Sequence, residues 1–280
     1  MLATLTAINR YPVKSCRGER LETATVEPWG LAGDRRWMVV DPTGRAVTAR
    51  EVNALVLLRP ELIPAGLRLG APGLTPLDVA TPASGARRVQ LFGNDLVGVP
   101  ADPAAGAWLS AALGTACDLV WCADPTLRAP DPAFSAAGDS VSFADGYPLL
   151  MATEESLAAL NDEIAGGGAL PMTRFRPNVV VRGAAAWAED DWRRLRIGTA
   201  TFRVVKGCAR CVLTTVDPET AERGKEPIAT LARIRRWDGS TWFGVNLVPD
   251  SPGSIISVGD DVEVLEAVAP GGGPLRPAPR

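Results

Sequence analysis

The sequence predicts a mixed α+β protein that is rich in β-structure. Its apolar runs are mostly short and are separated by Gly, Pro or Asn, a pattern typical of strands joined by turns. Only three segments show the helical period, at residues 104–113, 153–164 and 227–235. A chain of 280 residues with 46% hydrophobic residues is also long enough to bury one large core or two modest ones.

The first 122 residues form the more strand-rich part of this prediction. Pro12 restricts the first strand to an edge or an end of a sheet, because proline has no amide hydrogen to donate. Residues 41–44, Asp-Pro-Thr-Gly, predict a hairpin turn. Strands are expected at residues 2–13, 37–40, 46–49, 56–58, 77–80, 89–92, 96–99 and 119–121, with the helix 104–113 before the last of them.

Residues 123–138 are rich in Pro, Ala and Asp and indicate a boundary before a second region, 123–268. Thr153, followed by Glu154 and Glu155, fits the N-cap of the second helix, which Gly residues 166–168 should end. Residues 269–280, with three glycines and four prolines, are expected to be a disordered tail. Strands are expected at residues 141–143, 149–151, 179–181, twice within 194–205, and at 212–216, 242–247 and 262–265.

Composition excludes several classes of function. A formal charge of -3 does not favour a nucleic-acid-binding protein. The absence of histidine excludes a Ser-His-Asp triad and a His-Glu-x-x-His zinc site. No run approaches the about 20 apolar residues of a membrane span, and the N-terminus does not resemble a signal peptide, so we expect a cytoplasmic location with reduced cysteines.

Cys208 and Cys211 lie three residues apart, between Lys206 and the strand-like run 212–216. Cations beside a thiol favour its thiolate form, which binds metals. A buried structural pair of thiols and a redox Cys-x-x-Cys remain alternatives. A closed zinc site is a weaker one, since no histidine and no second Cys-x-x-Cys supply the remaining ligands. A thiolate without imidazole partners suits a metal that a cofactor brings with most of its own ligands.

Three separate turns carry groups that bind anions: Lys14 with Ser15, Arg35, and Arg176 with Asn178. Each turn adjoins a strand-like run, where a rigid scaffold can fix the side chain, and guanidinium groups form bidentate hydrogen bonds with phosphate. Scattered arginines are more often solvated surface charge, so the shared placement is the stronger argument.

Asp145 lies in a turn between the predicted strands 141–143 and 149–151. Most Asp-Gly pairs are simply turns. If this turn faces the cysteines, Asp145 can supply or take protons there, a role that few other residues can fill in a chain without histidine.

In combination these residues resemble the MOSC-domain superfamily, and within it the branch of the mitochondrial amidoxime-reducing component and its bacterial counterparts. The resemblance spans nearly the whole chain, and the motif Arg-Cys-x-Leu-Thr-Thr-Val-Asp-Pro-x-Thr at 210–220 is specific. The matching segments are residues 11–15 (Tyr-Pro-Val-Lys-Ser), 33–37 (Gly-Asp-Arg-Arg-Trp), 153–157 (Thr-Glu-Glu-Ser-Leu), 175–178 (Phe-Arg-Pro-Asn), 208–220, 251–253 (Ser-Pro-Gly) and 258–260 (Val-Gly-Asp).

The resemblance implies a MOSC β-barrel domain at 123–268 and a smaller N-terminal β-rich region at 1–122, of which residues 1–36 pack with the barrel. It implies a molybdenum-pterin cofactor with Cys211 as the metal ligand. Asp145 falls near an acidic residue of the family, although Gly146 and Tyr147 depart from the family's small hydroxyl residues. The residues that match positions holding the pterin and its phosphate are Lys14, Ser15, Arg35, Arg176, Asn178 and Arg210.

The activity that the resemblance implies is the reduction of N-hydroxylated substrates, such as amidoximes and hydroxylamines. Cys211 is the last cysteine, so we expect no fused iron-sulfur domain. Electrons would then come from a separate flavin, iron-sulfur or haem protein. The alternative is a sulfur-carrying or cofactor-handling MOSC protein with a persulfide on Cys211, and a thiol-redox or plain binding protein is a third possibility.

Overall fold

The computed structural model describes residues 3–166 and 168–273. Its helices are α1 (Pro103–Leu113), α2 (Glu154–Asp162) and α3 (Ile228–Ile234). Short 3-10 helices cover Asn53–Leu57, Pro125–Leu127, Met172–Arg174, Ala188–Asp190 and Val212–Thr215. The strands are β1 (Ala3–Arg10), β2 (Glu19–Leu21), β3 (Thr23–Glu27), β4 (Gly30–Leu31), β5 (Trp37–Val40), β6 (Glu61–Ile63), β7 (Gly66–Ala71), β8 (Leu74–Ala80), β9 (Arg87–Leu91), β10 (Asn94–Pro100), β11 (Asp118–Trp121), β12 (Leu149–Thr153), β13 (Val179–Arg182), β14 (Trp192–Ile197), β15 (Ala200–Ala209), β16 (Arg236–Trp237), β17 (Ser240–Pro249), β18 (Ile255–Ser257) and β19 (Asp261–Ala267).

The largest sheet closes into a seven-stranded barrel in the order β12-β13-β1-β19-β14-β15-β17, because β17 also pairs with β12. All neighbours are antiparallel except β12 and β13. Leu195, Phe202 and Leu247 are fully buried in its interior. The interior is filled by side chains, as in other small barrels. The predicted β-rich fold with a barrel is therefore confirmed.

The first strand of the chain belongs to this barrel. β1 pairs with β13, where Leu5 faces Val181, and with β19, where Thr4 faces Asp261. Its buried Leu5 and Ile8 point into the core, and a register shift between Leu5 and Ala7 bends the strand. The barrel therefore contains both early and late segments of the chain, which brings the turn after β1 to the same place as the turns of the second region.

Residues between β5 and β11 form two further sheets, β5-β11-β10-β9 and β6-β7-β8, with α1 against them. Asp102 caps α1 by accepting a hydrogen bond from the amide of Ala104, and Gly114 ends it at φ 68°. Trp37, Leu55 and Leu67 lie in the core of this region. No helix in ranges 3–166 and 168–273 is long and apolar enough to cross a membrane.

Several predicted strands are wrong. Residues 56–58 and 212–216 fall largely in the 3-10 helices Asn53–Leu57 and Val212–Thr215, because a short apolar run fits a buried helical turn as well as a strand. Residues 141–143 form no strand, since their amides bond to turn residues, as Phe143 does to the Arg35 carbonyl. The predicted hairpin return at 46–49 is reduced to one bridge between Val40 and Ala46.

The three helices and the strands of the barrel agree with the predictions, except that α2 ends at Asp162. Residue 167, in the glycine run predicted to end this helix, lies outside the described residues, as do residues 274–280 of the predicted tail. Gly271 and Gly273 donate amide hydrogen bonds to Asp191. The predicted region limits 1–122 and 123–268 stay predictions.

Candidate functional site

A cleft of about 250 Å³ lies at one end of the barrel, where turns from early and late parts of the chain converge. It contains every residue predicted for the site. These are Lys14, Ser15, Arg35, Asp145, Arg176, Asn178, Arg210 and Cys211. The sequence also indicated Lys206 and Cys208 beside the motif, and both line the same cleft.

Backbone strain is concentrated in the turns that form this cleft. Ser15, Arg35 and Arg176 have φ values of 68°, 48° and 57°, in the left-handed region that side chains other than glycine rarely adopt. Each such residue costs of order 1–3 kcal/mol and persists only where the surroundings hold it. The Arg35 amide donates to the Tyr11 carbonyl at 2.7 Å, which is one such restraint. This strain indicates that the side-chain directions serve binding rather than stability.

Tyr11 is a buried platform for two of the arginines. The guanidinium carbons of Arg35 and Arg176 lie 4.1 and 4.3 Å from its ring centroid. Arg35 is fixed by Asp34 at 2.6 Å and by Asn178 at 3.0 Å. The guanidinium of Arg176 forms no side-chain hydrogen bond within residues 3–166 and 168–273, and burial lowers its pKa. Its donors are therefore available to a ligand.

The cleft has a strong excess of positive charge. Asp145 is the single carboxylate among the described residues that line it. The Nε atoms of Arg174 and Arg210 are buried without a hydrogen-bond partner in the described parts of the chain. A cluster of this kind fits an anion such as a phosphate group. The cations are Lys14, Arg35, Arg50, Arg174, Arg176, Lys206 and Arg210.

Lys14 and Asp145 form an ion pair at the wall of the cleft. The buried ammonium of Lys14 also donates to the Phe143 carbonyl at 2.9 Å, and Arg50 binds the other oxygen of Asp145 at 3.1 Å. Burial lowers the pKa of Lys14 to about 8, although Asp145 opposes this shift. Desolvation acts to raise the pKa of Asp145, but the Lys14 ammonium outweighs it and holds that pKa below its ordinary value.

This ion pair bears on the predicted proton role of Asp145. A carboxylate with a depressed pKa is a weak base and holds no proton near neutral pH. Lys14, with a pKa of about 8, is better matched to proton transfer. The role of Asp145 stays a prediction, and the geometry favours it as the partner that positions Lys14.

The two cysteines of the motif have different surroundings. Both are free thiols and partly exposed. Arg210 donates a hydrogen bond to the Cys208 sulfur at 2.6 Å. Although Arg210 directly precedes Cys211 in the sequence, its side chain therefore bonds the thiol of Cys208. Burial raises the pKa of Cys208, opposed by Arg210. Cys211 lies at the start of the 3-10 helix Val212–Thr215 and faces the cleft.

A metal at Cys211 would need ligands that the protein does not supply. Within residues 3–166 and 168–273, no group of three or more His, Cys, Asp or Glu residues could hold a metal ion. The cleft instead combines the two thiols of the motif with many anion-binding groups. This combination fits an anionic organic cofactor that carries its own metal.

Asn178 lines the cleft and is bonded within the protein. Its side-chain oxygen accepts hydrogen bonds from Arg35 and from the Leu150 amide, and its nitrogen donates to the Asn9 carbonyl. The side chain is thus bonded at both ends and almost fully buried. These contacts orient Arg35, and the predicted cofactor-binding role of Asn178 stays a prediction.

Sequence reasoning missed Arg50, Arg174 and Asn246 in the cleft lining. Arg174 precedes Arg176 by two residues, a spacing that could have identified it, and it binds Asp217 at 2.8 Å. Arg50 reaches Asp145 across 95 positions of sequence, and no local pattern reports such a contact.

A closed barrel with a thiol and a cluster of cations at one end defines a cofactor- or anion-binding class of barrel protein. Residues 2–116 match the MOSC N-terminal beta barrel domain and residues 138–263 match the MOSC domain. The chain belongs to the MOSC-domain family that includes the mitochondrial amidoxime-reducing components.

The comparison with individual relatives covers nearly the whole chain. Mitochondrial amidoxime-reducing component 1 of Homo sapiens is 34% identical over 275 residues, which is 91% of this chain and 81% of the relative. Mitochondrial amidoxime reducing component 2 of Bos taurus is 32% identical over 93% of this chain and 83% of the relative. The molybdenum cofactor sulfurase of Oryza sativa subsp. japonica is 31% identical over 87% of this chain, which spans 32% of that relative.

Proposed function

We propose that the protein is a molybdenum cofactor-dependent oxidoreductase that reduces N-hydroxylated substrates such as amidoximes and hydroxylamines. The observation that supports this most directly is the cleft itself, in which the Cys211 thiol faces a cluster of cations, two of which have free hydrogen-bond donors. The relatives named as amidoxime-reducing components, similar over nine-tenths of the chain, supply the substrate class.

The residues of the cleft divide into those that would bind the cofactor and those that orient them. The Cys211 sulfur would bind molybdenum. Arg176 and Arg210, with unused donors, would bind the phosphate and the pterin. Ser15 lies in the same strained turn as Lys14, and its backbone conformation fixes the direction of both. Asn178 and Asp34 hold Arg35 toward the cleft.

When bound, the cofactor supplies two-electron redox chemistry at molybdenum. The protein's own contribution is to fix the substrate in a partly closed cleft and to hold a proton close to it. Removal of a hydroxyl oxygen as water consumes protons, and the Lys14 ammonium, with a pKa of about 8, can release one near neutral pH. Asp145 and Arg50 keep that ammonium at the cleft wall.

We further propose that electrons come from a separate flavin, iron-sulfur or haem protein. We also propose a cytoplasmic location, which the free state of all five cysteines supports.

The test is to purify the protein from a host that makes molybdenum cofactor and to measure its molybdenum and pterin. We expect close to one of each per chain, together with reduction of benzamidoxime to benzamidine by an artificial electron donor. A protein that holds neither metal nor pterin would contradict the proposal and would favour the thiol-redox alternative.

A second candidate is cofactor handling by a persulfide on Cys211, which the similarity to the molybdenum cofactor sulfurase supports. In that case the purified protein would bind cofactor without turning over benzamidoxime. Mass spectrometry would also detect an additional sulfur atom on the peptide that contains Cys211.

A further inference from the structure

The hairpin between β9 and β10 has an unfavourable residue in its turn. Leu91 pairs with Asn94, so the loop consists of Phe92 and Gly93, with φ values of 51° and 81°. A two-residue loop with both central residues at positive φ strongly prefers Asn-Gly or Asp-Gly. A bulky aromatic residue at such a φ is a genuine outlier, and outliers of this kind cluster at functional sites.

The same chain contains a hairpin of the preferred type. Trp237 pairs with Ser240 between β16 and β17, and the loop residues Asp238 and Gly239 have φ values of 49° and 74°. The two loops have similar backbone geometry, yet one uses aspartate where the other uses phenylalanine. Turn formation therefore does not explain Phe92.

The position of the Phe92 ring suggests what it does. The ring centroid lies 4.8 Å from the Lys14 ammonium nitrogen and 4.4 Å from the Arg50 guanidinium carbon. Both cations line the cleft and hold Asp145. Phe92 is nonetheless 45% exposed, so the apolar area that it buries offsets little of the free-energy cost of the strained turn. Phe92 lines an adjoining pocket that shares Arg50 with the cleft, so the strained loop presents an aromatic surface beside the cleft and outside its lining.

We propose that Phe92 is a specificity-determining residue, whose exposed ring stacks on the planar aromatic part of substrates that enter the cleft. This inference rests on the proposed function and specifies which N-hydroxylated compounds the site favours, namely those with an aromatic ring. Offset stacking of two aromatic rings contributes more binding free energy than burial of their apolar area alone. The ring also lies against two cations, which limits its rotation and prepares it for stacking.

Two substitutions separate the ring from the strain of the turn. Phe92→Asn removes the ring and supplies the residue that the turn prefers, so we expect the melting temperature to rise by about 2 °C or more. Phe92→Leu removes the ring but keeps a bulky residue at positive φ, so we expect no such rise. Val97→Thr is the matched control, because Val97 is a 54% exposed residue of the same hairpin that lines a different surface pocket from Phe92 and Arg50.

The variants are compared as cofactor-loaded proteins on benzamidoxime and on hydroxylamine, which has no ring. We expect both Phe92 variants to raise KM for benzamidoxime about fivefold, which corresponds to the free energy of one aromatic pair. The kcat/KM for hydroxylamine should be unchanged. Val97→Thr should match the wild type on both substrates. Equal losses on the two substrates, or no loss on either, would overturn the proposal.

Saturation-transfer NMR with benzamidoxime, in the absence of an electron donor, tests the stacking without turnover. We expect saturation transfer to the ring protons of the ligand in the wild type and a clear loss of this transfer in both Phe92 variants. Equal transfer in all proteins would overturn the proposed role of the Phe92 ring. A wild-type protein that reduces neither substrate would overturn the proposed function, whereas the NMR result would still decide whether Phe92 binds aromatic ligands.

Discussion

At the scale of single residues, the two thiols of the motif are not equivalent. Cys208 accepts a hydrogen bond from Arg210, and burial raises its pKa, so it is suited to remain a thiol that holds this arginine in place. Cys211 faces the cleft at the start of a 3-10 helix. The structure therefore separates a positioning cysteine from a candidate metal ligand.

Replacing each cysteine by alanine tests this division. We expect Cys211→Ala to lose molybdenum and activity almost completely, because the other thiol of the cleft, Cys208, accepts a hydrogen bond from Arg210. Cys208→Ala should keep much of both, since Arg210 also donates to the Phe175 carbonyl. Metal analysis and benzamidoxime turnover provide the measurements. Equal losses from the two variants would contradict a single-thiolate site.

The residues of the cleft were predictable where they fall in motifs and not where they depend on tertiary contacts. The turns with Lys14, Arg35 and Arg176 could be identified because polar residues follow strand-like runs. Phe92 and Arg50 could not, since their relation to Lys14 and Asp145 arises from packing of distant segments. The strain at Ser15 is likewise invisible in the sequence, since serine tolerates many backbone conformations.

At the scale of elements, a buried carboxylic acid from the 3-10 helix Ala188–Asp190 lies against the start of α2. Thr153 caps the helix, and Glu189 accepts hydrogen bonds from Ser156 at 2.8 Å and from Thr153 at 3.3 Å. The other oxygen of Glu189 is buried without a partner in the described parts of the chain. Burial raises the pKa of Glu189 to about 7. The folded state therefore favours the protonated acid.

This raised pKa makes stability depend on pH in a defined direction. Between the ordinary glutamate pKa of about 4.3 and about 7, the folded protein binds a proton that the unfolded chain does not, so its free energy of unfolding falls as pH rises. Glu189→Gln removes this dependence. We expect the variant to be more stable than the wild type at pH 8, by up to about 3 kcal/mol, and similar at pH 4.5.

Urea unfolding of both proteins at the two pH values measures the effect. Glu155→Gln is a suitable control, since Glu155 lies in the first turn of the same helix and accepts a hydrogen bond from the Gly183 amide. If the Glu189 variant shows the same loss of stability between the two pH values as the wild type, the buried acid is not its source.

The prediction of elements succeeded where local chemistry specifies the structure. Thr153 and its acidic neighbours identified α2, and the apolar runs of the barrel identified most of its strands. Two strands were missed for different reasons: β7 contains two glycines that interrupt its apolar pattern, and the three-residue β2 has no buried residue. Their pairing is determined by neighbouring strands rather than by their own pattern.

At the scale of the whole molecule, the cleft joins the two matched parts of the chain. Lys14, Arg35 and Arg50 come from the part that matches the N-terminal barrel model, and Arg176 and Arg210 come from the part that matches the MOSC domain. The cations of both parts repel one another unless an anion lies between them. A bound cofactor should therefore stabilise the entire fold.

Cofactor removal tests this expectation. Protein from a host that lacks the cofactor should melt several degrees below the loaded protein, since a ligand present at 100 times its Kd stabilises the folded state by about 3 kcal/mol. In the cofactor-free protein, Arg176→Ala should melt at the same temperature as the wild type or higher, because it removes one of the repelling charges. Calorimetry gives both values, and identical melting of loaded and cofactor-free protein would contradict the expectation.

The position of β1 has a consequence for how this protein is made. Thr4 pairs with Asp261, so the barrel cannot close before residue 261 has left the ribosome. At about 5–20 residues per second, the first strand waits roughly 10–50 s for that neighbour. Until its barrel neighbours have been synthesised, β1 can pair only with the short antiparallel strand β2 among the described strands.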